Sequence, residues 1–206
     1  MVKLLLVRHG HVEGIQPERF RGRTDVALTG QGLRQAVATA ACIASRWHPA
    51  AIYASPLTRC VQTAAEIAGA CRTELEVEEG LDDLDYGSWQ WQLHTEVRAG
   101  WPELFDRWLA APHLVRFPGG ESLQDLLART ADVVRMALER HPMGTAVLVS
   151  HDSVIRAMLL QLLDQPLSAY WRLSPAPCSI SEVDVLGHSA RVIGINETHH
   201  LTTAPS

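Results

Sequence analysis

Short runs of apolar and β-branched residues recur along the chain with helix-length patterns between most of them, and this alternation restricts the fold more than any other feature. Lys3 to Val7, Ala51 to Ala54, Leu75 to Glu78, Thr145 to Ser150, Ser179 to Val185 and Arg191 to Ile195 read as strands. Strands separated by helices pair in parallel through crossovers, which leaves the sheet covered on both faces. The expected class is α/β, a three-layer α/β/α arrangement with a mostly parallel sheet. Between the last two runs lies only a turn around Gly187, His188 and Ser189, so the sheet should carry one antiparallel edge strand there.

Helix signals punctuate the same map. Thr29 precedes the helix of GQGLRQAVATAACIASRW, and Ser55 with Pro56 marks the start of a second. Ser122 and Asp125 fit a capping box ahead of a segment in which Leu123, Leu126, Leu127, Val133, Val134, Ala137 and Leu138 share one face. Residues 88–120 are irregular and rich in proline and tryptophan, which suggests a small helical lid inserted into a single domain spanning 1–206. Trp89, Trp91, Trp101 and Trp108 within it are read either as a wall of a substrate pocket or as a satellite core. The tail after Glu197, with His199 and His200, reads as poorly ordered.

Composition narrows the function. Over 206 residues the chain is 47% hydrophobic and 20% charged, with a net charge of -5 and no basic run. Neither nucleic acid nor an anionic membrane surface has an electrostatic footprint here, so small molecules are the expected partners. The apolar stretch from Leu4 to Val7 is too short for a signal peptide, and no run approaches a membrane span. Cys42, Cys60, Cys71 and Cys178 lack metal-finger spacing and read as reduced thiols, which together with the missing leader implies a cytoplasmic protein. Nothing in the pattern fixes an oligomeric state.

Ligands of parallel α/β sheets bind beyond the carboxyl ends of the strands. Arg8 and His9 follow the first strand, Arg59 the second, Asp83 the third and His151 the fourth, so all share one edge. Arg59 also falls in a first helical turn, where the macrodipole disfavours a cation unless an anion is bound there. Two guanidinium forks at a helix N-terminus describe a site for a phosphoryl dianion.

The blocks LLLVRHG, RFRGRTDVALTGQGLRQA, IYASPLTRCVQTA, LDDLDYGSW, PGGESLQDLLAR and VLVSHDSVIRA, in this order and over nearly the whole chain, resemble the histidine phosphatase superfamily. In pattern the chain is similar to the small phosphatases of the phosphoglycerate mutase-like branch, such as α-ribazole phosphatases. The resemblance implies a phosphomonoesterase acting on a small-molecule phosphate ester with no cofactor and no metal. It makes His9 the nucleophile that carries the phosphoryl group, Arg8, Arg59 and His151 its catalytic ligands, and Arg21 and Gly22 further phosphate or substrate contacts. His151 would donate most strongly as the imidazolium. Asp83 takes the place of the proton-donating acid, where the family more usually has glutamate, with Asp82 and Asp85 as alternatives in the same turn. Two further departures are Ile15, where the family often has asparagine, and Trp89-Gln90-Trp91 in place of Trp-Glu-Gly.

The stretch between Asp83 and Glu121 is shorter than the corresponding insertion of the mutases, and its only basic side chains are Arg98, Arg107 and Arg116. This favours hydrolysis over isomerisation, with phosphoglycerate mutase as the alternative. A metal-dependent hydrolase is the remoter one, with His9, His11, His151 and Asp83 as its ligand set. A phosphate-recognising binding module would have lost His9 or an arginine, and neither is lost.

Overall fold

The computed structural model describes residues 1–187 and 189–202. Six strands form one sheet: β1 (Val2–Arg8), β2 (Pro49–Ala54), β3 (Leu75–Val77), β4 (Gly144–Ser150), β5 (Ile180–Leu186) and β6 (Ser189–Glu197), in the order β3-β2-β4-β1-β5-β6. β3, β2, β4 and β1 run parallel, and β5 pairs antiparallel with both β1 and β6. The antiparallel pair is at one edge, as the short turn implied; within it the reversed strand is β5, one place in from the rim. His188 of that turn lies outside the described residues.

The pleat divides the core in two. Leu5, Val7, Ile52, Ala54, Val147 and Val149 face α1 (Gly30–Arg46) and α2 (Thr58–Cys71), where Ala40, Ile43, Ala64 and Ile67 meet them. Leu4, Leu6, Tyr53, Ala146 and Leu148 face the other way, against Leu126, Val133 and Ala137 of α5 (Leu123–Arg140) and Met158 of α6 (Asp152–Leu162). Each such aliphatic side chain contributes about 1.5–3 kcal/mol on leaving water.

Thr29 caps α1, its side chain accepting from the Gly32 amide, and Ser122 with Asp125 forms the expected capping box on α5. α2 starts later than the sequence suggested, with Leu57 at its cap position and no side-chain cap bond. Ser55 Oγ accepts from the Leu57 amide at 3.3 Å, one turn ahead of the helix, and bonds across to other elements besides. The region 88–120 holds α3 (His94–Gly100) and α4 (Pro102–Ala110) with short 3-10 turns around them. The tail is a correction. His199–Leu201 form a 3-10 turn, and buried His200 reaches Thr39 Oγ1 at 3.0 Å, so residues 198–202 are packed against α1. Residues 203–206 of that tail lie outside the described set.

From β1 the chain crosses one face to β2, and from β4 it crosses the other to β5, so β1 and β4 are neighbours whose connections depart in opposite directions. Such a switch point opens a crevice at the strand ends. Arg8 pairs with Ser150 in register, which delivers His9 and His151 to the same place.

Candidate active site

The turn after β1 is packed against the start of α1. A Cβ on Gly10 would meet the Gly32 carbonyl oxygen at 2.6 Å, so only glycine lets the backbone approach this closely. The turn is further held by the bond from the His9 amide to the Ser150 carbonyl at 2.9 Å and from the Gly10 amide to Thr63 Oγ1 at 3.1 Å.

His9 is 1% exposed, and its Nδ1 lies 2.7 Å from the Gly10 carbonyl. A carbonyl only accepts, so Nδ1 carries the hydrogen and the lone pair is on Nε2. Burial, then the neighbouring Arg59, Arg8 and Arg21, holds the imidazole well below its usual range and therefore neutral.

Arg59 is fully buried in the first turn of α2. It donates from Nη1 to the Thr24 carbonyl at 2.8 Å, from Nη2 to the Gly22 carbonyl at 2.6 Å and to Asp83 Oδ2 at 3.2 Å, and from Nε to His151 Nδ1 at 3.2 Å. Gly22 supplies that carbonyl at φ +46, and a Cβ there would strike Gln90 Oε1 at 2.5 Å. Arg8 donates to the Pro175 carbonyl at 2.7 Å and Arg21 to the Gly14 carbonyl at 2.9 Å. The Nε groups of both Arg8 and Arg21 are buried without a hydrogen-bond partner among the described residues. An unsatisfied buried donor costs about 1–3 kcal/mol. Two cationic ones beside the same imidazole fit a phosphoryl group that accepts from both.

His151 accepts from Arg59 at Nδ1, and its Nε2 lies 3.0 Å from Ser55 Oγ, whose hydroxyl hydrogen goes to Asp82 Oδ1 at 2.9 Å. These partners define the neutral tautomer with hydrogen on Nε2. Burial first, then Arg59 and His9, holds this ring well below the usual histidine range. The imidazolium expected from the sequence is therefore opposed in the free protein. The same bonds show why Ser55 does not cap α2: it links His151 to Asp82. Cys60 Sγ lies 3.4 Å from His151 Nε2, and burial pushes its thiol up, away from thiolate chemistry.

Asp83 is 4% exposed. Its Oδ1 accepts from the Leu84 amide at 2.8 Å and from Ser153 Oγ, and its Oδ2 faces Arg59. Burial and Asp152 push the carboxyl up against the opposing pull of Arg59, the Ser153 hydrogen bond and Arg21, and the net shift is upward. Asp82 is occupied by Ser55, and Asp85 holds the Gly87 amide at 2.8 Å, so neither forms a merely solvated turn. Arg129 of α5 fixes the whole loop through the carbonyls of Gly80, Asp82 and Asp83 and is itself gripped by Glu121.

A cavity of about 240 Å³ is lined by Arg8, Arg21, Gly22 and Asp83 of this cluster and by Ile15, Arg19, Tyr86, Trp108, Asp152, Arg156 and Trp171 among others; His9, Arg59 and His151 do not border it. Of the tryptophans expected as pocket wall or satellite core, Trp108 is both, being 2% exposed yet bordering the cavity, while Trp89 is buried in the core. Trp91 is in the left-handed region (φ 64), with Arg19 5.3 Å over its ring, and does not border the cavity. A larger groove, about 790 Å³, lies along α1 between Leu33, Val37, Cys42 and His199; it contains none of the strand-end residues.

Asp152, Arg156, Ser153 and Arg129 were not singled out from the sequence. The strand-end rule pointed one residue short of Asp152, and Arg156 is one helical turn beyond it on the same face. The metal-ligand set is not assembled: His11 Nδ1 bonds Thr29 Oγ1 at 2.9 Å, and among the described residues no three His, Cys, Asp or Glu side chains converge on a cation position.

A neutral buried imidazole, orphaned guanidinium donors and a carboxyl of raised affinity for a proton at a switch-point crevice define an enzyme class, one that handles phosphoryl groups. The sequence model of the histidine phosphatase superfamily (branch 1) matches residues 4–198, and the chain belongs to that family. It is 38% identical over 201 residues to phosphoserine phosphatase 1 of Hydrogenobacter thermophilus, covering 98% of this chain and 95% of that protein. A probable phosphoglycerate mutase of Proteus mirabilis is 34% identical over 188 residues, covering 89% and 85%. The crystal structure of a phosphoserine phosphatase mutant from Entamoeba histolytica in complex with phosphoserine superposes with a TM-score of 0.87 at 26% identity, covering 98% and 100%. The protein is a phosphomonoesterase of this superfamily, and the mutase reading is the weaker one. No helix among the described residues is long and apolar enough to cross a membrane.

Proposed function

We propose that the protein hydrolyses a small-molecule phosphate ester through a phosphohistidine at His9. The observation that carries the reading is the pairing of the His9 tautomer, which leaves the Nε2 lone pair for attack, with the orphaned Nε donors of Arg8 and Arg21. Nε2 forms a bond to phosphorus as the ester P–O bond breaks, and Asp83 gives its proton to the departing oxygen. Arg8, Arg21 and Arg59 neutralise the charge that gathers on the equatorial oxygens, and His151, held by Ser55 and Arg59, is positioned to turn towards the dianion. In the second step Asp83 takes a proton from water as the water attacks phosphorus, and inorganic phosphate leaves with His9 neutral again.

Hydrolysis is favoured over isomerisation by the cavity lining. Arg98, Arg107 and Arg116, the basic side chains of the lid, are not among the residues that border it, and Arg98 and Arg116 pair instead with Asp106 and Asp125. A cytoplasmic location fits this use of small metabolites and the free thiols of all four cysteines. O-phosphoserine, named for two of the similar proteins, is the first substrate to test.

Rapid quench with ³²P-labelled substrate should trap an acid-labile, base-stable phosphoprotein, and His9→Ala should trap none. Label retained in that variant would overturn the reading. With 3-phosphoglycerate and catalytic 2,3-bisphosphoglycerate the expected product is inorganic phosphate; rapid formation of 2-phosphoglycerate would establish the mutase instead.

A further inference from the structure

The cavity wall beside the proposed phosphate cradle carries charges that phosphate chemistry does not need. Asp152, the first residue of α6, lies 3.7 Å from Arg8 Nη2 and 3.9 Å from Arg21 Nη2 through Oδ1, and 3.4 Å from Arg156 Nη1 through Oδ2. It thus lies beside the two guanidinium groups whose Nε atoms are orphaned, next to where the proposed phosphoryl group would sit. Burial alone would push its carboxyl up, but Arg8, Arg156 and Arg21 hold it far below the usual carboxylate range, so it is anionic. A fixed carboxylate next to a phosphate dianion repels the substrate, and that penalty is removed when the substrate brings its own cation to this spot.

Arg156 supplies the matching opposite charge. Its Nε is held by the Leu173 carbonyl at 2.8 Å, and its head is stacked over Tyr170 and Trp171 at 5.1 and 4.9 Å from the ring centroids. Stacking fixes the plane of the fork while leaving an edge for a planar anion. A guanidinium immobilised in this way, bordering the same cavity as an ionised aspartate, is a preformed receptor for a carboxylate and an ammonium on adjacent atoms.

We infer that Asp152 and Arg156 are the specificity-determining residues of this phosphatase and that they read the ammonium and the carboxylate of an α-amino acid whose side chain carries the phosphate. The inference rests on the phosphate cradle proposed above. In it Arg8 and Arg21 are shared between the phosphate and Asp152.

Three esters separate the contributions. O-phosphoserine, 3-phosphoglycerate and O-phosphoethanolamine differ only in having the amine replaced by a hydroxyl or the carboxylate replaced by hydrogen. Wild-type kcat/KM should favour phosphoserine over each of the others by at least about tenfold, the scale of one charge-assisted contact. Asp152→Asn should erase the preference over 3-phosphoglycerate and leave that over phosphoethanolamine; Arg156→Gln should do the converse, with Arg156→Lys in between. A merely structural role would lower kcat/KM for all three, and for p-nitrophenyl phosphate, by one common factor, and that result would overturn the inference. So would a wild-type enzyme that hydrolyses the three equally. Inactivity of the wild type towards all four esters, with the fold intact by circular dichroism, would instead remove the cradle and the inference built on it.

Discussion

At the scale of single residues, the site is a set of polar groups whose protonation is fixed by partners. The Gly10 carbonyl accepts from His9 Nδ1 and the Arg59 guanidinium donates to His151 Nδ1, so two adjacent rings, 5.2 Å apart, are held in different tautomers. The proposal of Asp83 as the acid rests on burial rather than on residue type. Of the three aspartates in the turn it alone borders the cavity, and burial pushes its carboxyl up. Removing it should therefore matter in proportion to the basicity of the leaving group. Asp83→Asn should lower kcat/KM for an alkyl phosphate on the order of 10²- to 10⁴-fold and for p-nitrophenyl phosphate far less, while Asp82→Asn and Asp85→Asn show no leaving-group dependence. In the wild type, with the acid form as the proposed proton donor, the alkyl rate should fall as pH rises through the elevated value of Asp83. A loss confined to Asp82→Asn would show that the serine-linked carboxyl supplies the proton. The strand-end rule points to His9 and His151, which directly follow β1 and β4, and to Arg59 and Asp83, five and six residues beyond β2 and β3. It could not find Arg129 or Ser153, which act on Asp83 and its loop from other elements.

At the scale of elements, what was legible is what is local. The apolar run of β1 and the capping box on α5 depend on residues within a few positions of each other, and both formed as the sequence suggested. The start of α2 was misread because Ser55 has a better partner across the sheet than the backbone two residues on, and the tail was misread because the group that buries His200 belongs to α1. The lid was opaque for a similar reason. Its helices are short, and its apolar side chains pack edge to face, as Trp108 does on Phe117 and Trp89 on Phe20, instead of following a helical stripe. Two substitutions test these roles. Ser122→Ala removes a cap and should cost about 1 kcal/mol with turnover intact, measured by urea unfolding. Trp108→Ala should cost about 3–5 kcal/mol and change the ratio of kcat/KM between small and bulky esters, since the ring is both core and cavity wall. Loss of stability with unchanged ratios would reduce Trp108 to packing alone.

For the whole molecule, placing two uncharged histidines under three arginines ties folding to the proton. His9 and His151 are both held well below their ordinary values, chiefly by burial and then by Arg59. The unfolded chain binds protons on both below a pH of about 6.5 and the folded chain does not, so stability is full above that pH and is lost as pH falls through it. Asp152 and Glu121, both depressed, add losses of the same sign only in the carboxylate range. Asp83, raised, acts with the opposite sign, since the folded protein takes up its proton before the unfolded chain does. Between pH 6.5 and 5.5 the histidines therefore dominate, and together they should lower the unfolding free energy by on the order of 2 kcal/mol. Half-buried His94 and buried His200, lowered less than His9 and His151, reinforce the trend more weakly. Urea unfolding in phosphate-free buffer at pH 7.5, 6.5 and 5.5 should show little change over the first interval and this drop over the second. His151→Gln keeps a donor and an acceptor for Ser55 and Arg59 but cannot titrate, so it should roughly halve the drop whatever it does to absolute stability. Identical drops in wild type and variant would show that His151 titrates alike in the folded and unfolded chains, and a larger drop in the variant would show that it is already charged in the folded protein, so that the dianion meets an imidazolium after all.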